Sequence, residues 1–310
     1  MQSPQQGAFW VFTAYFLWGF MPIYWKSLHH VGSSEILMNR IIWAFVLTVA
    51  VLLIAGQGKK LIADIKELWA DKRQFWSLCA ASLLVTANWG TYIWAVNHDF
   101  IVQASLGYYM NPLVSVLLGI LFLKESLSRS QQGAFLLAAI GVTVLTIHYG
   151  VFPWVAFVLA FSFALYGLIK KQIRLDAARG LAIETAFTVP LALIAYGWLF
   201  STGDAVLFHT DALTVVLLVL TGIATALPLI FFSKGVVAIP LYVSGFLQYI
   251  APTLMLIIGV SMYGEQFGTF EWVSFAFIWA ALLLFTVPQI FRYLKNRRIA
   301  ARLKQQQHSH

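Results

Sequence analysis

The chain has 310 residues, of which 60% are hydrophobic and only 10% charged, and its formal net charge is +8. Soluble domains carry roughly a quarter of their residues charged, so most of this chain is solvated by lipid and not by water. The single cysteine, Cys79, excludes an internal disulfide framework, and no Cys/His spacing reads as a metal site or calls for a cofactor.

A helix crosses the hydrocarbon core with about 20 apolar residues, and ten such runs follow one another. They lie at about 7–27, 35–55, 74–96, 101–123, 131–148, 153–170, 180–199, 212–233, 240–262 and 270–290. The first follows a neutral start without Lys or Arg and contains Pro22, so it reads as a retained span and not a cleaved signal peptide. Most connections are as short as "NHDF" and "YGVF". The longest, "GQGKKLIADIKELWADKR" at 56–73, is amphipathic and is expected to form an interfacial helix. Eighteen of the 20 Lys and Arg residues fall in loops and a tail on one side of this topology. Lys26 sits at a span end on the other side, and Arg40 lies inside span two. The positive-inside rule then places both termini in the cytoplasm. The excess of positive charge follows membrane sidedness, so it does not point to a nucleic-acid partner.

The frame "YYMNPLVSVLLGILFLKE" at 108–125 returns as "QYIAPTLMLIIGVSMYGE" at 248–265. At an offset of 140, Tyr109 falls on Tyr249, Pro112 on Pro252, Gly119 on Gly259 and Glu125 on Glu265. The repeating unit is five spans long. Five is odd, so the second copy enters the membrane inverted. The predicted fold is an all-α integral membrane protein with ten transmembrane helices in two inverted five-helix repeats. Residues 1–150 form the first repeat, 151–290 the second, and 291–310 a basic cytoplasmic tail. Inverted repeats are the arrangement used for alternating access, with a substrate site near the midplane beside interrupted helices. Pro22, Pro112, Pro228 and Pro252 free backbone carbonyls inside their spans. They are read as gating kinks, or alternatively as shapers of packing.

Polar side chains in hydrocarbon tend to face the bundle interior or water. Asn88 and Tyr92 share one face of span three, with Trp89 adjacent. Tyr108, Asn111 and Ser115 share a face of span four, with Tyr109 adjacent, and Ser244 and Gln248 share a face of span nine, with Tyr249 adjacent. These groups, apart from Ser115, which reads as packing, are the predicted cavity wall for a small amphipathic solute. The alternative is that they only bond helix to helix. Arg40 and Glu184 occupy roughly corresponding places in the two halves at opposite depths. Arg40 has Asp99 or a substrate carboxylate as its candidate partners, and Glu184 has Arg179 or Lys170. Glu125 and Glu265 read as helix-end anchors ahead of any proton-carrying role. Spans five and ten carry only small residues and hydroxyls among apolar ones. They are expected to be peripheral braces or a homodimer surface, leaving eight spans around the cavity.

The segments "SSEILMNRIIWAF" at 33–45, "NWGTYIWAVNHDFIVQASLGYYMNPL" at 88–113 and "FLKESLSRSQQGAFLLAAIGV" at 122–142 resemble the EamA-type carriers of the drug/metabolite transporter superfamily. The resemblance is closest to the RarD subgroup and covers nearly the whole chain. It implies a ten-helix permease of the bacterial inner membrane. Such a permease moves a small organic solute by a gradient and not by ATP. The subgroup's association with chloramphenicol sensitivity implies a drug-like or metabolite substrate. The leading functional reading is therefore a secondary transporter, an exporter of a metabolite, amino-acid-like or drug-like solute, with lipid and that solute as its partners. No P-loop pattern is present to supply ATP drive. An integral-membrane enzyme needs a catalytic cluster, and only His98 with Asp99 offers one, better explained as a polar turn. A channel needs a polar stripe through the full depth of several spans, whereas "GILFL" and "LIIGV" plug the ends.

Overall fold

The computed structural model describes residues 3–98, 100–150, 153–203, 205–206, 210–264 and 268–308. Asp99 and Glu265 lie outside the described residues. Twelve helices follow in chain order: α1 (Pro4–Ser27), α2 (Ser33–Ile54), α3 (Gly58–Ala70), α4 (Lys72–Asn97), α5 (Ile101–Leu123), α6 (Arg129–Tyr149), α7 (Trp154–Gln172), α8 (Ala177–Ser201), α9 (Ala212–Val236), α10 (Leu241–Gln248), α11 (Ile250–Tyr263) and α12 (Thr269–His308).

Helix starts are set by short polar side chains that accept from otherwise unpaired backbone N–H groups. Ser3 and Gln6 form a reciprocal capping box on α1. Asp71, Asp176 and Asp211 cap α4, α8 and α9. At Asp211 the Thr214 hydroxyl, 2.6 Å away, holds the carboxyl below its ordinary pKa by hydrogen-bonding the charged form.

Nine segments among the described residues are long and apolar enough to cross a membrane. They correspond to every expected span except the third. Its helix, α4, has 26 residues, so length is not what it lacks. It is less apolar because it carries polar groups that α7 and α8 satisfy. Asn88 donates to Leu159 O and Ser162 Oγ, both at 2.9 Å, and Ser82 donates to Glu184 O at 2.7 Å. The segment read as an interfacial helix is α3. Its Leu61 and Leu68 pack with Ile183 and Phe187 of α8, and its Asp64 pairs with Arg179 at 2.5 Å.

Span nine is not one continuous helix, because α10 ends at Gln248 and α11 begins at Ile250. Pro252 supplies no N–H to the carbonyl of Gln248, and Tyr249 N bonds instead to Phe246 O in a tighter turn. Pro112, at the matching place in α5, leaves that helix unbroken. The tail expected from 291 onward continues α12 as helix through His308, and its Ala, Arg, Leu, Lys and Gln residues are good helix formers.

The packing divides the chain into two compact units. One comprises residues 126–151 and 267–310, and in it α6 lies along α12. The other comprises residues 1–125 and 152–266. In this larger unit α1 packs on α9 and α11, α2 on α8 and α9, α4 on α7 and α8, and α5 on α7 and α10. Its core is aromatic and small-residue in character: Tyr15, Tyr166 and Phe232 are buried among Val11, Ala14, Ala160 and Ala164. Two glycines of α9 set how closely helices approach. A Cβ on Gly222 would overlap the backbone of Trp43 in α2, and one on Gly235 would lie 2.9 Å from Val11 N in α1. Without a side chain at these points, dispersion contacts bring the backbones together. Gly222→Ala should therefore destabilise the detergent-solubilised protein by about 1–3 kcal/mol through overpacking. Gly197→Ala, where nothing lies within 4 Å, should leave the melting temperature unchanged or slightly raised. Equal melting temperatures for the two variants would refute the close approach.

Candidate functional site

In the larger unit the C-terminal end of α1 and the N-terminal ends of α2, α5 and α9 lie at one end of the bundle. The C-terminal end of α7 and the N-terminal end of α8 lie at the other. Arg40 is the eighth residue of α2 and Glu184 the eighth of α8. At 1.5 Å per residue each lies about 10 Å inside its own end. The two ends are built differently around these charges.

Around Arg40 the walls are aromatic. Its Nε donates to Thr225 Oγ1 of α9 at 3.1 Å. Its Cζ lies 4.8 Å from the ring centre of Trp25 and 4.5 Å from that of Trp89. Tyr24, Tyr92 and Tyr108 are near enough to interact electrostatically with the guanidinium. Tyr92 and Tyr108 meet edge to face with centroids 5.7 Å apart. They remain 36% and 37% exposed where α1, α2, α4, α5 and α9 converge. No carboxylate lies within 4.0 Å of Arg40 among the described residues.

Around Glu184 the structure is closed. Lys170 Nζ lies 2.7 Å from Glu184 Oε2, and the two side chains are 3% and 1% exposed. Arg179, the other candidate partner, is directed to Asp64 and Gln57. Glu184, Tyr166 and Ser233 bring a carboxylate oxygen and two hydroxyls together in the same buried place. A cavity of about 10 Å³, lined by Glu184, Ser82, Thr86, Thr188 and Trp89, adjoins the pair. That is room for about one water. Trp89 thus borders both the small cavity and the Arg40 cluster.

Among the residues predicted to line a cavity, Arg40, Trp89, Tyr92 and Tyr108 come together. Asn88 turns to α7, with its amide nitrogen bonded there. Ser244 and Gln248 are buried and meet the Tyr15 hydroxyl, both at 3.4 Å. Asn111, 4% exposed, accepts from Ser115 one turn along the same helix at 3.2 Å. Tyr249 OH donates to Tyr109 O at 3.2 Å. Pro22, Pro112 and Pro228 lie inside their helices, and Pro252 opens α11. Sequence reasoning missed Tyr24, Trp25 and Thr225. Two rings at a span end read as an interfacial belt, and one hydroxyl in an apolar span gives no signal. It also missed what Glu125 does. That carboxylate accepts from Leu241 N at 2.7 Å and Tyr242 N at 3.0 Å, capping α10, with Lys171 at 3.9 Å.

The model of the EamA-like transporter family matches residues 5–147. The chain is 46% identical to the protein named uncharacterized transporter YojE of Bacillus subtilis, over 92% of this chain and 95% of that relative. It is 39% identical to Protein RarD of Escherichia coli, over 94% and 97% of the two chains. Chloramphenicol-sensitive protein RarD of Pseudomonas aeruginosa is 28% identical over 92% and 94%. One solved crystal structure shares the fold with a TM-score of 0.70, covering 93% of this chain and 99% of its own at 17% identity.

The contrast between the two ends has a thermodynamic signature. Lys170→Met strands a buried carboxylate and should cost about 3–5 kcal/mol, most of it recovered in the double variant Lys170→Met/Glu184→Gln. Arg40→Gln removes a cation that only rings and one hydroxyl hold, and should cost no more than about 1 kcal/mol. Melting temperatures of the purified variants read both, and a larger loss from Arg40→Gln than from Lys170→Met would reverse the assignment.

Proposed function

The chain belongs to the EamA-like transporter family, in its RarD subgroup, and we propose that it is a secondary carrier of a small organic solute working by alternating access. The observation that carries this reading is the asymmetry of the larger unit. One end holds the buried Lys170–Glu184 pair, and at the other Tyr92 and Tyr108 keep more than a third of their surface exposed beside Arg40. A channel would be accessible from both ends at once, and an enzyme has no need of two such ends.

Several features support ten spans in two inverted halves, with α4 as the tenth. Exchanging α1 with α7, α2 with α8, α4 with α9, and α5 with α10–α11 returns the same set of packed pairs, with α2–α8 and α5–α10 mapping onto themselves. Arg40 and Glu184 exchange under this operation. So do the left-handed turns that end α5 and α11, at Lys124 (φ 54°) and Gly264 (φ 64°), bonded back to Gly119 O and Gly259 O. The spacing of 140 also relates Tyr109 to Tyr249, which touch. That is where residues beside a two-fold axis belong. Lys and Arg crowd the side of the Glu184 end, so that end is read as cytoplasmic, with both termini on the same side, and the membrane as the bacterial inner membrane. The accessible Arg40 end then faces outward.

The test uses two reporter cysteines in a Cys79→Ser background, Tyr108→Cys at one end and Ser233→Cys at the other. A membrane-impermeant maleimide should reach the first from outside and the second from inside. Trapping the first with a bulky maleimide should suppress labelling of the second. Independent labelling of the two positions would replace the carrier with a channel, and labelling of both from the same side would overturn the topology.

A further inference from the structure

A charge held in hydrocarbon without a counter-charge is costly, and Arg and Glu inside spans normally find a partner in the protein. Three acidic groups of the larger unit's interior do so: Glu184 with Lys170, Glu125 with two backbone N–H groups and Lys171, and Glu35 with Val206 N and Tyr196 OH. Among the described residues Arg40 is the exception. Of the guanidinium's five N–H groups, the one on Nε is bonded to Thr225, and those on the two terminal nitrogens have no hydrogen-bond acceptor among the described residues. The hydroxyls of Tyr92 and Tyr108 also have none there, and both rings are accessible.

We propose that Arg40 is the receptor for an organic anion, and that the transported solute is a small aromatic carboxylate or monophosphate without an ammonium group. This rests on the carrier reading of the same space. The terminal nitrogens present the planar fork that matches a carboxylate or phosphate in bidentate fashion. The rings of Trp25, Trp89, Tyr92 and Tyr108 surround that fork with apolar faces and edges, which suits a planar, weakly hydrated body. The tyrosine hydroxyls are placed to donate to the same anion. No carboxylate faces the cluster to take an ammonium among the described residues. The one other Lys or Arg at this end among the described residues, Lys26, lies 3.4 Å from the ring centre of Tyr263 and adds positive potential. The site therefore selects a net anion over a zwitterion or a cation.

The experiment measures melting temperature of the purified full chain in neutral detergent, with benzoate, benzyl alcohol, benzylammonium and phenylalanine titrated to about 20 mM. A ligand that binds only the folded state raises the melting temperature in proportion to its occupancy. Benzoate should give a saturable rise with an affinity at least about 10-fold above the other three. Arg40→Gln should abolish that preference, and Arg40→Lys, which keeps the charge but loses the fork, should weaken it about 10-fold. Should Arg40→Gln not fold, Arg40→Lys alone decides. Equal shifts from all four probes, no shift from benzoate, or a benzoate shift that survives in Arg40→Gln (or stays at full strength in Arg40→Lys) would each overturn the proposal. A parallel titration with phosphatidylglycerol reads the lipid source of the same chemistry. If it reproduces the rise and blocks benzoate, the site holds a headgroup and not a solute. The cysteine pair separates this inference from the carrier reading. Alternating labelling without benzoate preference removes only the anion, and an Arg40-dependent benzoate shift without alternation removes only the carrier.

Discussion

Hydrocarbon offers no hydrogen bonds, so each polar group inside the membrane must find its partner within the protein. Most of the arrangement of the larger unit follows from that constraint. α4 is less apolar than its neighbours and is held by α7 and α8 through Asn88 and Ser82. The start of α10 has no side-chain cap of its own, and Glu125 reaches across to supply one. Glu35, at 1% exposure, does the same for the backbone at Val206. A lone buried carboxylate would be costly at each place, and each carboxylate instead joins two distant segments.

The same constraint explains how much could be read from the sequence. Span lengths, the amphipathic 56–73 segment and the paired positions of Arg40 and Glu184 follow from local pattern and from counting, and the structure has helices at those places. The partners were not legible in the same way. Glu125 is 116 residues from Leu241, and Tyr15 is 229 from Ser244. Chain spacing carries no signal for such contacts. Asn88 and Arg40 looked alike in sequence, as polar residues within apolar runs. Only the packing separates the amide bonded to α7 from the guanidinium whose terminal nitrogens meet no acceptor among the described residues. An interruption was expected equally at Pro112 and Pro252. Pro112 and Pro252 are equivalent in pattern, yet only one interrupts its helix, so the outcome depends on what packs around each carbonyl. On α5 the Pro112 carbonyl lies 2.9 Å from where a Cβ on Gly245 would be, and α10 is pressed close against it.

The two charges also differ in what it takes to close around them. At the Glu184 end the protein holds its own counter-ion, so that end closes without a ligand. At the Arg40 end closure around an empty site would bury an unpaired guanidinium, and removing one partner from a buried pair typically costs about 3–5 kcal/mol. On the anion proposal an occupied site would have a smaller penalty, because a bound anion would take the place that Lys170 takes for Glu184. The ligand's differential affinity for the closed state is what shifts a two-state equilibrium, and here it would arise from charge neutralisation. About 4 kcal/mol corresponds to roughly a thousandfold bias toward closing only when loaded. A carrier built this way returns poorly when empty. On that proposal it would exchange one anion for another more readily than it would leak, because Arg40 has no counter-charge of its own among the described residues.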